Sequence, residues 1–396
     1  MRLARRVREI TPSPTLGIDA LAKQMVREGI DVISFSVGEP DFDTPEAVKE
    51  EGIRAIRAGF TKYTPASGIP ELKEAICRKL KEENGLEYRP DQILVSAGAK
   101  HSLYNAFMAL CEEGDEVILP APYWVTYPEQ IRLAGGRPVV IPLGPGEGFK
   151  LSPEALAAHL TPRTRLLVLN SPSNPAGAVY TRGELEALAE ICVRHQIYVI
   201  SDEVYEKLVY DGLEHVSIAS LGTDIKRLTV VVNGVSKAYA MTGWRIGYAA
   251  AEGEIIKAMS DLQGHCTSNP TSISQKAALA ALNGPHEPVR EMVAEFEKRR
   301  DYLVERLRCL RGFSVPLPRG AFYVFAGVGG LLGEVIGGRR VTDDNSLARI
   351  LLEEGRVAVV PGSGFGSPGY LRFSYATSRE RIREGMYRLE ALLGRS

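Results

Sequence analysis

Lys237 lies in GVSKAYAMTGWRIG, residues 234–247, immediately after the apolar run LTVVVN. A lysine just past the carboxyl end of a strand stands where open α/β sheets bind ligands. Taken out of water and set near other cations, its amine gives up its proton more easily and becomes a nucleophile toward a carbonyl. A lone lysine is ordinarily a solvated surface charge, so its company decides. Three more apolar runs end in polar residues. ILV runs into Ser96, Ala97, Gly98, Ala99 and Lys100; RLLVL runs into Asn170 and on to Asn174; IYVI runs into Ser201, Asp202, Glu203, Val204 and Tyr205. Each alone is ordinary turn or cap chemistry. In one sheet all four converge on one rim.

Together they offer an amine, a carboxylate, hydroxyl and amide donors, and a helix N-terminus. Pyridoxal 5′-phosphate needs that set: an amine for its aldehyde, an acid for its pyridine nitrogen, a donor for its phenolic oxygen and a cradle for its phosphate. Lys237 supplies the amine. Asp202 supplies the acid, whose negative charge keeps the ring nitrogen protonated. Asn174 and Tyr205 are suited to hydrogen-bond the phenolic oxygen. The phosphate belongs where SAGAKHSLYNAF turns from strand into helix at Gly98 and Ala99, because free N–H groups and the helix dipole favour an anion there. Ser236 and Arg245 add a hydroxyl and a guanidinium fork, with Lys100 as a competing cation. Trp124, in APYWVTY, has a flat face for stacking on the ring or for filling a core.

Positioning these groups takes a sheet buried on both faces. The runs at 93–98, 116–120, 137–143, 165–170, 197–202 and 228–233 are almost continuously apolar, as such strands must be, and RIGYAA at 245–250 is a further strand candidate. Helix-like stretches alternate with them, so an α/β fold is expected, with a mainly parallel central sheet and helices on both faces. Past Gly284 and Pro285 the rhythm changes. EPVREMVAEFEKRRDYLVERLRCL carries apolar residues at Val289, Met292, Val293, Phe296, Leu303 and Leu307, the stripe of a long amphipathic helix. FSVPL, AFYVFA, VAVVP and YLRFSYA then read as strands, and a terminal helix starts at Ser378. Residues 46–285 are therefore expected to form a large domain, and 1–45 together with 286–396 a smaller α+β domain with an N-terminal arm. The stretch GVGGLLGEVIGG, 327–338, reads as a mobile loop.

Composition narrows the classes. A chain of 396 residues is long enough for two cores. A net charge of −1 gives no field that would attract nucleic acid or an anionic membrane. The five cysteines are scattered, odd in number and never in a CxxC pair, so neither a disulfide framework nor a zinc site is expected, and a reducing cytoplasm fits. MRLARRVREI runs into TPSPTLGIDA rather than into an apolar leader, and no run approaches the ~18 apolar residues of a membrane span. A Rossmann-type dehydrogenase is excluded because no G-x-G-x-x-G follows an early strand.

With these residues in place, the chain resembles the class I aminotransferases of the fold-type I pyridoxal-phosphate enzymes, and most closely the bacterial aspartate aminotransferases. The resemblance runs through SVGEPDFDTP (36–45), TKYTPASGIPELKEAI (61–76), VSAGAKHSLYNAF (95–107), APYWVTYPE (121–129), NSPSNPAGAVY (170–180), SDEVYEKLVY (201–210), SKAYAMTGWRIGY (236–248) and LRFSYATS (371–378). It implies that Lys237 bonds the cofactor aldehyde, that Asp202 meets the ring nitrogen, that Asn174 and Tyr205 touch the phenolic oxygen, and that Trp124 stacks on the ring. It further implies that Tyr63 reaches the cofactor phosphate of a neighbouring subunit, so that a homodimer builds shared active sites. Arg372 would grip the substrate α-carboxylate, helped by Asn174 and the backbone at Gly38.

The implied reaction is transamination by ping-pong exchange, with Lys237 also acting as general base. L-aspartate and 2-oxoglutarate are the expected pair, because Lys100, Ser13 and Thr15 match residues that contact a side-chain carboxylate in similar enzymes. Two departures bear on that choice. HCTSNP, 265–270, puts His265 and Cys266 where a Gln-Ser-Thr-rich stretch is usual, and SPSNPAG replaces SPNNPTG while sparing Asn174. The alternatives are a prephenate, aromatic or neutral amino-acid aminotransferase, a pyridoxal-phosphate lyase, or a non-catalytic binder of the cofactor.

Overall fold

The computed structural model describes residues 4–8, 10 and 14–394. Its central sheet has seven strands, which in spatial order begin at Ile93, Gly247, Thr229, Tyr198, Thr164, Glu116 and Arg137. Six run parallel. Gly247–Ala250 alone is antiparallel to both of its neighbours, Ile93–Ser96 and Thr229–Gly234. All seven expected strands form. The last begins two residues later than RIGYAA suggests, because Arg245 takes the left-handed conformation at φ 57° and ends the preceding turn.

Alternation along the strands explains why both faces are covered. Val117, Leu119, Leu166, Val168, Val230 and Val232 face one core together with Leu103 and Phe107 of helix Ala99–Leu110 and Met259 of helix Gly253–Cys266. Their neighbours Ile118, Leu167, Leu169 and Val199 turn the other way, onto Leu185 and Leu188 of helix Arg182–His195. Ile93, Val95 and Val231 meet Leu72 and Ile76 of helix Pro70–Asn84 and Ala277 of helix Ser272–Asn283. Side chains removed from water this completely each stabilise the fold by roughly 1.5–3 kcal/mol. Buried on both faces, all of these strands but the half-exposed edge strand Arg137–Pro142 must be apolar until they emerge at the rim.

The C-terminal part carries a separate antiparallel sheet, ordered Val360–Pro361, Tyr370–Ser374, Tyr323–Gly327. It packs on helix Glu287–Arg308 through Met292, Phe296, Leu303 and Leu307, and on helix Arg379–Leu393 through Ile382, Met386 and Leu389. Ser378 caps the latter by accepting the Arg381 N–H. VAVVP divides into two strands: Val357–Ala358 pairs in parallel with Ile33–Ser34, and Val360–Pro361 joins the three-stranded sheet. This pairing ties the N-terminal segment to the C-terminal part of the chain.

Two local expectations are corrected. FSVPL forms only a bridge at Ser314 to Gly327, since Pro316 and Pro318 cannot donate to a ladder. GVGGLLGEVIGG is a folded unit, with the hairpin Val335–Ile336 and Arg339–Arg340 turning at Gly337 and Gly338 and with Leu331 and Ile336 buried in the core. Among the described residues no helix is long and apolar enough to cross a membrane.

Candidate active site

The strand ends and the segment around Gly38 frame one cavity of about 490 Å³. Of the residues singled out in the sequence, Gly38, Ala99, Lys100, Trp124, Asn174, Asp202, Tyr205, Ser236, Lys237, Arg245 and Arg372 line it. Gly98 stands at its edge as the N-cap of helix Ala99–Leu110. Tyr63 does not reach it and is 92% exposed. His265 and Cys266 are also exposed, at the end of helix Gly253–Cys266 and away from the cavity, so this chain's own pocket does not contain them. Ser13 and the side chain of Thr15 lie outside the described residues.

Lys237 follows strand Thr229–Gly234, and its Nζ donates to the Gly38 carbonyl at 2.6 Å. The rings of Tyr205 and Phe322 lie 5.9 and 5.8 Å from that nitrogen. Burial pulls its pKa down to about 8; Glu39 and Asp202 oppose the shift, while Arg245 and Arg372 add to it. Near neutral pH such an amine has an accessible uncharged form.

Asp202 ends strand Tyr198–Asp202 and is 3% exposed. Its Oδ2 accepts from the Tyr127 hydroxyl at 2.7 Å and its Oδ1 from the Val204 N–H at 3.3 Å. Burial raises the carboxyl to about 6, against the lowering effect of the Tyr127 hydrogen bond. Among the described residues no lysine or arginine pairs with it directly. Such a group gains from a cationic N–H brought to it.

Asn170 fixes the neighbouring strand end. Its Nδ2 donates to the Asp202 carbonyl at 3.0 Å and its Oδ1 accepts the Asn174 N–H at 2.8 Å. Asn174 then accepts through Oδ1 from Arg372 Nη1 at 3.0 Å, which leaves its own amide N–H groups to donate. Arg372, in strand Tyr370–Ser374, is 4% exposed; its Nη2 donates to the Ser36 carbonyl at 2.7 Å, its Nε has no partner, and no carboxylate pairs with it among the described residues. Its guanidinium lies 4.5 Å from the Tyr323 ring and 5.1 Å from that of Phe365. A buried fork with an unused donor is a receptor for a carboxylate.

At the other end of the cavity two glycines let the backbone close in. Gly98 has φ 86°, and a Cβ there would lie 2.4 Å from Arg245 Nη2; a Cβ on Gly247 would lie 2.1 Å from the Ala99 nitrogen. Arg245 is held by its donation to the Thr242 carbonyl at 2.8 Å, beside the start of the helix. Lys100 Nζ stands 4.8 Å over the Trp124 ring, its pKa lowered by burial and by Arg245. Trp124 in turn meets Tyr127 edge to face, with centroids 5.4 Å apart.

The sequence reading missed Tyr127, Tyr323 and Glu39. Tyr127 holds Asp202, Tyr323 lies 2.9 Å from the Tyr205 hydroxyl, and Glu39 accepts from Thr242 Oγ1 at 2.7 Å beside Lys237. The spacing of Tyr127, three residues after Trp124 at a helix start, was the one available signal. Behind the site, Glu203, Glu206 and His215 offer ligand atoms within 4.8 Å of one another. Lys79 Nζ already sits on Glu206, and Ser217 Oγ and His215 Nε2 occupy Glu203, so these carboxylates are already paired within the protein.

The site can therefore join an amine to a carbonyl, hold a cationic ring nitrogen against a buried acid, and clamp a carboxylate. Comparison with known proteins agrees with that chemistry. The family model "Aminotransferase class I and II" matches residues 30–389. The chain is 49% identical over 393 residues to an aspartate aminotransferase of Geobacillus stearothermophilus, covering 99% of each. It is 51% identical over 393 residues to a probable aspartate/prephenate aminotransferase of Aquifex aeolicus, covering 99% of this chain and 98% of that one. The structure of the Thermus thermophilus aspartate aminotransferase with maleate superposes with a TM-score of 0.92 at 45% identity, covering 99% of this chain and 100% of that one.

Proposed function

This chain belongs to the class I and II aminotransferases, and we propose that it transfers the amino group of L-aspartate to 2-oxoglutarate, yielding oxaloacetate and L-glutamate by ping-pong exchange with pyridoxal 5′-phosphate as cofactor. The observation that carries the reading is the desolvated amine of Lys237 facing, in one cavity, the buried carboxylate of Asp202 and the buried guanidinium of Arg372. The names of the Geobacillus and Aquifex proteins, and the maleate in the Thermus structure, support a dicarboxylic substrate.

The residues present fit the cofactor. Asp202 is a buried acid with a raised pKa and, among the described residues, no basic side chain bonded to it, which suits a protonated ring nitrogen. The glycine-lined approach of Arg245 to the helix N-terminus suits a phosphate, with Ser236 and the N–H groups around Gly98 and Ala99 as further donors. When bound, pyridoxal phosphate supplies the aldehyde that takes the amino group and the ring that withdraws electrons from the substrate Cα.

The chain's own groups do the rest. Lys237 Nζ, which donates to the Gly38 carbonyl, is the amine that would hold the aldehyde and the general base that would remove the proton at the substrate Cα. Asn174 and Tyr205 would donate to the phenolic oxygen, and Trp124 would cover the ring face. Arg372, steadied by Asn174 and Ser36, holds the α-carboxylate beside Gly38. Lys100, with Ser13 and Thr15, meets the side-chain carboxylate. Tyr63, so exposed in one chain, serves the cofactor phosphate of a partner subunit in a homodimer. Residues 46–285 form the cofactor domain and the remainder the smaller one. Five cysteines, none in a disulfide, support the reducing cytoplasm as its compartment.

A second reading, prephenate as acceptor, is favoured by the name of the Aquifex relative. Rates measured side by side with aspartate plus 2-oxoglutarate, aspartate plus prephenate, phenylalanine and alanine decide between them. Absence of turnover with aspartate would sink the first choice, and ammonia or pyruvate released without an oxo acid would identify a lyase.

A further inference from the structure

The Tyr205 hydroxyl, read above as a donor to the cofactor's phenolic oxygen, already has a neighbour. It lies 2.9 Å from the hydroxyl of Tyr323, 118 residues away in sequence. Tyr323 is 1% exposed and stands edge-on to Tyr205, with centroids 5.9 Å apart. Its ring lies 4.5 Å from the Arg372 guanidinium, and a Cβ on Gly38 would come within 2.8 Å of its hydroxyl oxygen. One phenol thus touches the partner of the phenolic oxygen, the carboxylate clamp and the backbone that holds Lys237.

A hydroxyl carries one proton and can also accept. If Tyr205 gave its proton to Tyr323, it would present a lone pair to the cofactor oxygen. If Tyr323 gives its proton to Tyr205, the Tyr205 proton is left for that oxygen, and the bond it accepts makes it the better donor. An anionic oxygen selects the second arrangement. The charged groups facing the pair are Arg372, Asp202 and Lys237, and Arg372 meets the face of the Tyr323 ring rather than competing for its proton. We infer that Tyr323 is a positioning residue that donates to Tyr205 and so orients the Tyr205 proton onto the cofactor's phenolic oxygen. This rests on the role proposed for Tyr205.

The test is a pH titration of the visible absorbance of the cofactor-loaded protein, for wild type, Y205F, Y323F and the double variant. A proton donated to the phenolic oxygen favours its anion and lowers the titration midpoint, so losing the donor raises it. Y205F should raise the midpoint most, and Y323F in the same direction by roughly 0.3–0.7 pH units, as expected for weakening one hydrogen bond. The double variant should match Y205F alone, because Tyr323 acts only through Tyr205. Y323F keeps the ring under Arg372, so its affinity for maleate should stay within about twofold of wild type, whereas Y323L should lose it. An unshifted Y323F, or shifts that add in the double variant, overturns the inference. A wild type with no visible chromophore overturns the proposed function instead.

Discussion

Replacing Asp202 by asparagine should stabilise the cofactor-free protein at pH 8 and weaken its hold on pyridoxal phosphate. Burial lifts the Asp202 carboxyl from 3.8 to about 6, and at 1.36 kcal/mol per unit the ionised form costs the folded chain roughly 3 kcal/mol. The amide that replaces it keeps one acceptor for the Tyr127 hydroxyl or the Val204 N–H, and loss of the other costs about 1 kcal/mol. A net gain of roughly 2 kcal/mol remains. The sign follows from linkage. A raised acid contributes stability that is full below 3.8 and lost as pH rises through about 6, so the advantage of D202N should grow across that window and level off above it. Urea unfolding of the stripped proteins at a series of pH values measures this. In the loaded protein most or all of that gain is offset, since losing a charge-assisted bond to the ring nitrogen should cut cofactor affinity about 10- to 100-fold, roughly 1.4–2.8 kcal/mol. A D202N variant less stable than wild type at pH 8, or one whose advantage does not vary with pH, would refute the account of Asp202 as an acid buried for a cation.

Three further outcomes are expected. R372L should lower kcat/KM for every amino acid about 100- to 10,000-fold, the cost of two charge-assisted hydrogen bonds to the α-carboxylate, and R372K should recover only part of it for want of the planar fork; steady-state kinetics on two unlike substrates checks both. K100M should lower kcat/KM for aspartate about 10- to 100-fold and leave alanine nearly unchanged, and an equal loss on both would remove Lys100 from the side-chain site. Y63F and K237A chains, unfolded and refolded together, should regain up to about a quarter of the wild-type rate through mixed dimers with one intact site, whereas activity no greater than that of the two parents summed would contradict shared sites.

The legible parts of this molecule are those whose signal is local. Strands buried on both faces must be apolar at every step, so six of the seven could be read from runs such as RLLVLN and LTVVVN, the half-exposed edge run RPVVIPL being apolar as well, and the polar residues at or just past their ends marked the cavity rim at Asp202, Asn174 and Lys237. What the sequence hid depends on contacts made across long separations. Tyr127 meets Asp202 across 75 residues and Tyr323 meets Tyr205 across 118; on its own helix or strand each is an ordinary core tyrosine, and only the fold turns its hydroxyl toward the site. Glu39 gave no signal beyond its place in SVGEP, since its partner Thr242 lies 203 positions away. FSVPL shows the opposite failure, an apolar run that two prolines keep out of the ladder.

The central claim is that Lys237 holds the cofactor aldehyde, and a bond-trapping measurement meets it most directly. The protein loaded with pyridoxal phosphate should absorb visible light, lose that band on borohydride reduction, and then carry the pyridoxyl mass on the peptide containing Lys237. K237A should show neither that Schiff-base band nor the label. A label on another lysine, or a K237A protein with the wild-type spectrum, would contradict the account.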